Sequence, residues 1–321
     1  MRVVGNIPVK VDEIIQETEF VKRFRFSPID KLPLPAFTGG AHIKTFLHKD
    51  DDILERTYSL VSLPTERNFY EIAIRQDDYS TGGSIYWHKE ITVGTTLDIS
   101  FPKNHFPLSY QAKHHVFYAA GIGITPFLTM MKDLQEWQTF ELHYAARTAE
   151  QCAFYEQLKD EYGDRCHFYF SRGDDPKKMF PTSMVTHRIG THVYFCGPIK
   201  MVQDYRNAAV SYGYPSKAIH FELFSAGKDD QPKNAFTVEL VDSNKTIRVS
   251  ENESLLEALL NAGIDAPHAC KIGGCGSCEL DVAEGEIHHR DVFLTAEDRK
   301  KRNSILTCCS RAKSEKIAIK I

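Results

Sequence analysis

What this 321-residue chain lacks narrows it first. It has no long apolar run: stretches such as Val116 to Ala120 fall far short of the ~20 residues that a membrane helix requires. Its N-terminus lacks the basic-then-apolar build of a secretion leader, so a cytoplasmic location is expected. Positive charge is not in excess; a formal net charge of -4 gives no reason to expect nucleic acid or an anionic membrane as a partner. A disulfide framework is missing too. Of the eight cysteines, Cys152, Cys166, Cys196 and Cys309 show no paired spacing, and a reducing compartment suits them all. What remains is ordinary globular composition, 42% hydrophobic and 26% charged, at a length that calls for two or three domains.

The remaining four cysteines carry the clearest chemistry. Cys270, Cys275 and Cys278 stand at C-x4-C-x2-C spacing, and Cys308 follows after twenty-nine intervening residues. That is the plant-type ferredoxin pattern for a [2Fe-2S] cluster. Four thiolates hold two bridged irons only if the loop wraps closely, and Gly273, Gly274 and Gly276 let its amides turn toward the sulfurs. Zinc is the competing reading, disfavoured because structural zinc sites use paired C-x2-4-C knuckles. Cys309 neighbours the fourth ligand, but adjacent residues in an extended segment point opposite ways, so only one should reach the cluster. The spacing favours Cys308. Lys271 reads as a solvated charge. His288 and His289 raise a Rieske centre, for which the C-x-H pattern is lacking and which four cysteines make unnecessary.

Upstream, short extended segments around Val21 to Phe26, His42 to Leu47, Arg56 to Ser62, Phe69 to Gln76 and Thr96 to Phe101 alternate with turns, which argues an antiparallel barrel. Within it lie Arg56-Thr57-Tyr58-Ser59, then Ala73-Ile74-Arg75, then Thr81-Gly82-Gly83-Ser84. Arg56 can grip a phosphate through its planar fork while amides of the Gly82-Gly83 turn point at the same anion. From about residue 113 the pattern changes to alternating strands and helices: His115 to Ala120, Pro126 to Glu136, Phe140 to Arg147, Gln151 to Glu161, Cys166 to Ser171, His192 to Cys196 and Ile199 to Tyr212. This predicts an α/β domain with a parallel sheet. Gly121 and Gly123 in Ala120-Gly121-Ile122-Gly123-Ile124-Thr125-Pro126 let a pyrophosphate approach, with Thr125 expected as helix cap. Cys196-Gly197-Pro198 ends a later strand, where parallel sheets bind ligands.

These motifs resemble those of the ferredoxin-reductase-like flavoproteins. In that family the serine of R-x-Y-S sits near flavin N5, the cysteine of C-G-P lies beside the nicotinamide, and an aromatic stacks on the flavin until nicotinamide displaces it. The matching positions here are Ser59, Cys196 and Phe224. FMN-binding relatives commonly carry Gly-Arg before Gly-Gly-Ser; this chain has Ser80-Thr81, and the Thr81 hydroxyl is expected to substitute. NADH-strict relatives tend to have an acid after the third strand, where this chain has Ser171-Arg172 with Lys177 and Lys178 behind. Positive charge there would tolerate NADPH.

The order of parts resembles the phthalate dioxygenase reductase-like family. It implies an FMN-binding barrel over 1-110, an NAD(P)H-binding domain over 111-224, a polar linker over 225-234 and a β-grasp ferredoxin domain over 235-321. In the last, Ala235 to Val241 and Lys245 to Ser250 should form a hairpin, and Ser254 with Glu257 should cap a helix ended by Gly263. The resemblance implies FMN, NAD(P)H and a [2Fe-2S] cluster as cofactors, a Rieske-type oxygenase as acceptor, and a monomer. A nicotinamide gives two electrons as hydride, a cluster takes one, and a flavin does both. Two alternatives share these motifs in part: a reductase serving a cytochrome or small carrier, and a redox sensor, which would not need an intact nicotinamide turn.

Overall fold

In the computed structural model, residues 5-49, 52-76, 82-186, 189-224 and 234-321 are described. The antiparallel part has six strands: β1 (Ile7–Thr18), β2 (Val21–Pro28), β3 (His42–Lys49), β4 (Asp52–Ser59), β5 (Tyr70–Arg75) and β6 (Thr96–Ile99). They pair in the order β4-β3-β6-β1-β2-β5, and a bridge between Leu60 and Ile72 ties the outer strands together. The sheet thus closes on itself as a barrel, which removes its open edges. Strand β1 was not expected from the sequence. Ile7, Val9 and Val11 point into the core, but register shifts after Val11 and after Gln16 break the two-residue period. The barrel is filled by Phe24, Phe26, Ile43, Tyr70 and Ile72, and by Trp87 from a short helix, α1 (Gly83–Lys89). Trp87 meets Phe24 edge-on at 4.8 Å.

The second sheet holds β7 (His114–Ala120), β8 (Thr139–Ala146), β9 (Cys166–Phe170), β10 (Thr191–Cys196) and β11 (Ile219–Glu222), in the order β11-β10-β7-β8-β9. Strands β7 to β10 pair in parallel, as the alternating pattern predicts. The chain moves outward from β7 to β9 and then returns to β10 on the other side of β7. The switch point between β7 and β10 is where such sheets receive ligands. Three helices accompany it: α2 (Thr125–Lys132), α3 (Tyr155–Tyr162) and α4 (Ile199–Ser211). Helix α2 stops short of the expected Glu136 with Asp133 at its C-cap, and α3 starts after the expected Gln151 because Phe154 takes a left-handed conformation at φ 63. Val21 and Ala73 from the barrel join Phe117, Phe127 and Tyr194 in one hydrophobic core. Barrel and parallel sheet accordingly form one compact unit, Met1–Phe221.

The second unit is Glu222–Ile321. The segment expected as a linker lies, from 225 to 233, outside the described residues. The main sheet of this unit runs β13 (Lys245–Val249), β12 (Phe236–Leu240), β18 (Lys316–Ile319), β14 (Glu279–Glu284), β16 (Ser304–Leu306), with β12 and β18 parallel, and β15 (Ile287–His288) pairs with β17 (Arg311–Ala312). Helix α5 (Leu255–Asn261) buries Leu255, Leu256 and Leu259 against it. The expected capping box is present: Glu257 N–H donates to Ser254 Oγ at 3.1 Å, and Ser254 N–H donates to the Glu257 carboxylate at 2.7 Å. A second box, Thr295 with Asp298, opens α6 (Ala296–Lys301). No helix among the described residues is long and apolar enough to cross a membrane.

Candidate functional site

Strand β4 ends beside the start of α1, and this brings Arg56 to the Gly82-Gly83 turn. A Cβ at Gly83 would lie 2.5 Å from Arg56 Nε, so the glycine lets the Arg56 side chain come close to the turn. Arg56 Nη1 also donates to the Glu55 carbonyl at 2.8 Å, which fixes the plane of its fork. Ser84 follows half-buried, and Thr81 lies outside the described residues. Along β4, Thr57 is exposed and Ser59 buried, while Tyr58 stacks edge-on against Trp87 at 5.9 Å. Burial raises the Tyr58 phenol above its ordinary value, which keeps it a neutral donor. The neighbouring strand contributes less than expected. Ala73 packs toward the parallel sheet, Ile74 points into the barrel with its carbonyl taken by His88 Nε2 at 2.9 Å, and Arg75 is exposed.

At the switch point the turn after β7 lies directly on the turn after β10. A Cβ at Gly123 would stand 2.2 Å from the Cys196 carbonyl oxygen and 2.8 Å from Gly197 N. Gly121, at φ 56, has nothing within 4 Å of a Cβ position, and its carbonyl accepts a 3.0 Å bond from Tyr144. Gly121 therefore opens the space and Gly123 closes the two turns together. Thr125 does not cap α2 as expected: it is the first residue inside the helix, and its hydroxyl donates to Ile122 O at 3.0 Å within the preceding 3-10 turn. Cys196 is fully buried in the same core as Phe117 and Phe127, and Pro198 is the N-cap of α4. Arg172 is exposed beyond β9, its N–H bonded to Arg147 O at 2.8 Å. Lys177 meets Asp175 at 3.0 Å, so part of the positive charge expected there is paired locally.

Residues that sequence reasoning missed join barrel and sheet. Gly39 N–H donates to Asp133 at 2.7 Å, Gly40 N–H to Thr129 Oγ1 at 3.0 Å, and Tyr110 OH to Asp133 at 2.7 Å. A Cβ at Gly39 would be 2.7 Å from Met130 Cα, so the loop backbone touches the α2 backbone. The Gly39-Gly40 pair was the available signal.

In the second unit the thiols gather in two pairs. Cys270 and Cys275 share a hydrogen bond, which raises the first thiol and lowers the second, and Cys270 N–H also donates to Cys275 Sγ at 3.5 Å. Cys278 is raised mainly by its hydrogen bond with Cys308. Two pairs of sulfurs suit two irons with two thiolates each. Cys309 Sγ instead covers Gly273, where a Cβ would lie 2.6 Å away. Gly276, at φ 77, sits under the Phe293 ring, 2.4 Å from a Cβ position. Lys271 is exposed. Beneath the loop is Asp291, 4% exposed, which accepts from Leu294 N–H at 2.6 Å and lies 3.4 Å from His289. His289 thus faces a carboxylate. Phe224 belongs to this unit and is 44% exposed.

Residues 238–313 match the 2Fe-2S iron-sulfur cluster binding domain, and residues 117–207 match the oxidoreductase NAD-binding domain. The chain is 37% identical over 317 residues to the carnitine monooxygenase reductase subunit of Escherichia coli, covering 97% of each. It is 38% identical over 307 residues to the heme-dependent oxidative N-demethylase beta subunit of Ectopseudomonas mendocina, covering 95% of this chain and 96% of that one. Phthalate dioxygenase reductase, described as a modular structure for electron transfer from pyridine nucleotides to [2Fe-2S], aligns with a TM-score of 0.73 at 32% identity over 99% of this chain and 98% of its own. The chain belongs to the phthalate dioxygenase reductase-like family. As a member it is an oxidoreductase with a barrel, an NAD-binding domain and a [2Fe-2S] domain in that order. The residues present fit those groups: Gly121 leaves open space at the turn after β7, and the four thiols pair as Cys270 with Cys275 and Cys278 with Cys308.

Proposed function

We propose that this protein is the reductase component of a multicomponent oxygenase, passing electrons from NAD(P)H through FMN and a [2Fe-2S] cluster to a separate Rieske-type oxygenase. The observation that carries the reading is the pairing of Cys270 with Cys275 and Cys278 with Cys308 in a chain that also clamps a nucleotide turn at Gly123. FMN, when bound, would take up the two electrons of one hydride and release them singly. The chain's residues do the positioning. Arg56 and the Gly82-Gly83-Ser84 turn hold one terminal phosphate. Tyr58 and Ser59 line the ring edge. Gly121, Gly123, Thr125 and Cys196-Gly197-Pro198 receive the dinucleotide, with Ser59 and Cys196 as the groups nearest the hydride path. The cluster ligands are Cys270, Cys275, Cys278 and Cys308. The protein works as a cytoplasmic monomer, prefers NADH and accepts NADPH.

Extraction and anaerobic titration test this together. Heat-released flavin should chromatograph as FMN, and NADH should bleach flavin and cluster in a protein that then reduces a Rieske oxygenase. Recovery of FAD, or a cluster that NADH leaves oxidised, would sink it. A haem acceptor is the second reading, favoured by the E. mendocina relative, whose name calls it part of a heme-dependent demethylase. Side-by-side reduction rates of a haem oxygenase and a Rieske oxygenase separate the two.

A further inference from the structure

The parallel sheet carries a second set of donors, unrelated to the redox sites. Phe140, Leu142 and Tyr144 of β8 lie in the core shared with α2 and α3, so the alternate residues Glu141 and His143 face the other side of the sheet. His167 of β9 is the cross-strand partner of His143, and their rings stack at 4.9 Å. The ligand atoms of Glu141, His143 and His167 all lie within 4.8 Å of one another. This convergence is of the right size for one ion after small side-chain rotations, since tetrahedral Zn–N and Zn–O bonds are about 2.0–2.2 Å.

The hydrogen bonding of His143 says what is missing. The residue is 4% exposed, and its Nδ1 is 2.9 Å from Tyr169 OH. Its Nε2 is buried without a hydrogen-bond partner and faces the Glu141 carboxylate at 3.8 Å. With the proton on Nδ1, donated to Tyr169, the Nε2 lone pair points toward a carboxylate, acceptor against acceptor. With the proton on Nε2, the carboxylate is beyond hydrogen-bond reach. A cation between them satisfies both atoms, and the Nδ1–Tyr169 bond then orients the ligating ring from behind. On the far side, His114 Nε2 lies 3.6 Å from the other Glu141 oxygen and is itself anchored by Thr139 Oγ1 at 2.7 Å. That arrangement steadies the carboxylate. His167 is exposed and Glu141 half-buried, so an ion can enter from solvent.

We propose that Glu141, His143 and His167 form a binding site for a divalent transition metal of the zinc class. Two imidazoles and one carboxylate suit zinc, copper or nickel rather than calcium or magnesium, which take oxygen ligands. The site sits away from the carboxyl ends of the strands, where the dinucleotide turn lies: His143 precedes the end of β8 by three residues, roughly 10 Å at strand rise. Its role is structural. It pins the edge strand β9 to β8.

The test uses holoprotein with flavin and cluster loaded, stripped of loose metal and dialysed against zinc, with bound zinc and iron counted separately. Wild type should hold a single zinc beyond its iron, with zinc X-ray absorption reporting nitrogen and oxygen ligands, and a higher melting temperature than the stripped protein. His167→Ala changes an exposed side chain and Glu141→Gln only a charge. Each should lose the zinc and the melting shift while keeping the flavin and cluster spectra. Zinc bound through sulfur, or zinc retained equally by both variants, or no zinc in wild type, overturns the proposal.

Discussion

Gly123→Ala should separate hydride delivery from everything else this protein does. The added Cβ would sit 2.2 Å from the Cys196 carbonyl oxygen, 2.5 Å from its carbon and 2.8 Å from Gly197 N. A comfortable C···O approach is about 3.3 Å, so the two turns must part by roughly 1 Å. They cannot do so by yielding on the far side, because Cys196 is fully buried and a Gly197 Cβ position already lies 3.0 Å from Ala120 Cβ and Met201 Cε. Overpacking of this kind costs about 1–3 kcal/mol of stability. A displacement of that size in a positioning element costs on the order of 100-fold in rate. Anaerobic stopped-flow reduction of the flavin by NADH should slow by about that factor, with the flavin and cluster spectra unchanged. Gly121→Ala is the comparison: it meets no protein atom, so beyond the left-handed strain of about 1–2 kcal/mol any slowing it shows comes from a methyl group in the space left for the dinucleotide. A Gly123→Ala protein that is folded and reduced within about threefold of the wild-type rate would refute the clamp.

Cys308→Ser should abolish the cluster spectrum and electron delivery to a one-electron acceptor while NADH still bleaches the flavin, and Cys309→Ser should keep the cluster; the reverse result would transfer the ligand role. Arg172→Ala should weaken NADPH use by roughly tenfold and spare NADH, because a charge-assisted contact at an exposed site is worth about 1.5 kcal/mol; an unchanged NADPH:NADH ratio would leave Arg172 merely solvated. His115 is fully buried, and burial pushes it down from 6.5 to about 3, while the Gln138 amide donates to its Nε2 at 3.2 Å. The unfolded chain takes up this proton below 6.5 and the fold refuses it, so stability is lost as pH falls through that window, by about 2 kcal/mol at pH 5 relative to pH 7.5. Urea midpoints at the two pH values should show this loss, and His115→Gln should reduce it.

Legibility followed the range of the interactions involved. The 2Fe-2S domain could be read because the cysteine spacing is itself the chemistry, and the contact of the two switch-point turns because glycine next to a strand end has few other uses. The capping box at Ser254 and Glu257 was equally local. Misreadings arose where a local pattern met a distant partner. Cys152, Ala153 and Phe154 are apolar and look helical, yet all three are buried in a turn that delays α3. Thr125 looks like a cap, and the 3-10 turn before it moves the cap to Ile124. Asp133 and Asp291 carried no signal: one meets Gly39, ninety-four residues away in the chain, and the other is buried under a loop whose cysteines drew the attention.

These distant partners bear on how the chemistry is divided. Hydride transfer needs reacting atoms held within about 3–3.5 Å, so donor and acceptor sites must be fixed to each other. Two backbone amides of the barrel meet side chains of one helix here: Gly39 N–H donates to the Asp133 carboxylate and Gly40 N–H to Thr129 Oγ1, at the end and in the body of the helix that follows the Gly121-Gly123 turn. Loop and helix backbones also touch directly, since a Cβ at Gly39 would lie 2.7 Å from Met130 Cα. Single electrons demand no such atomic contact, and the cysteine loop lies in a compact unit of its own, supported from below by Asp291 and Phe293. The fold therefore ties together the two domains that exchange a hydride, and a change at Asp133 should alter flavin reduction by NADH before it alters the cluster.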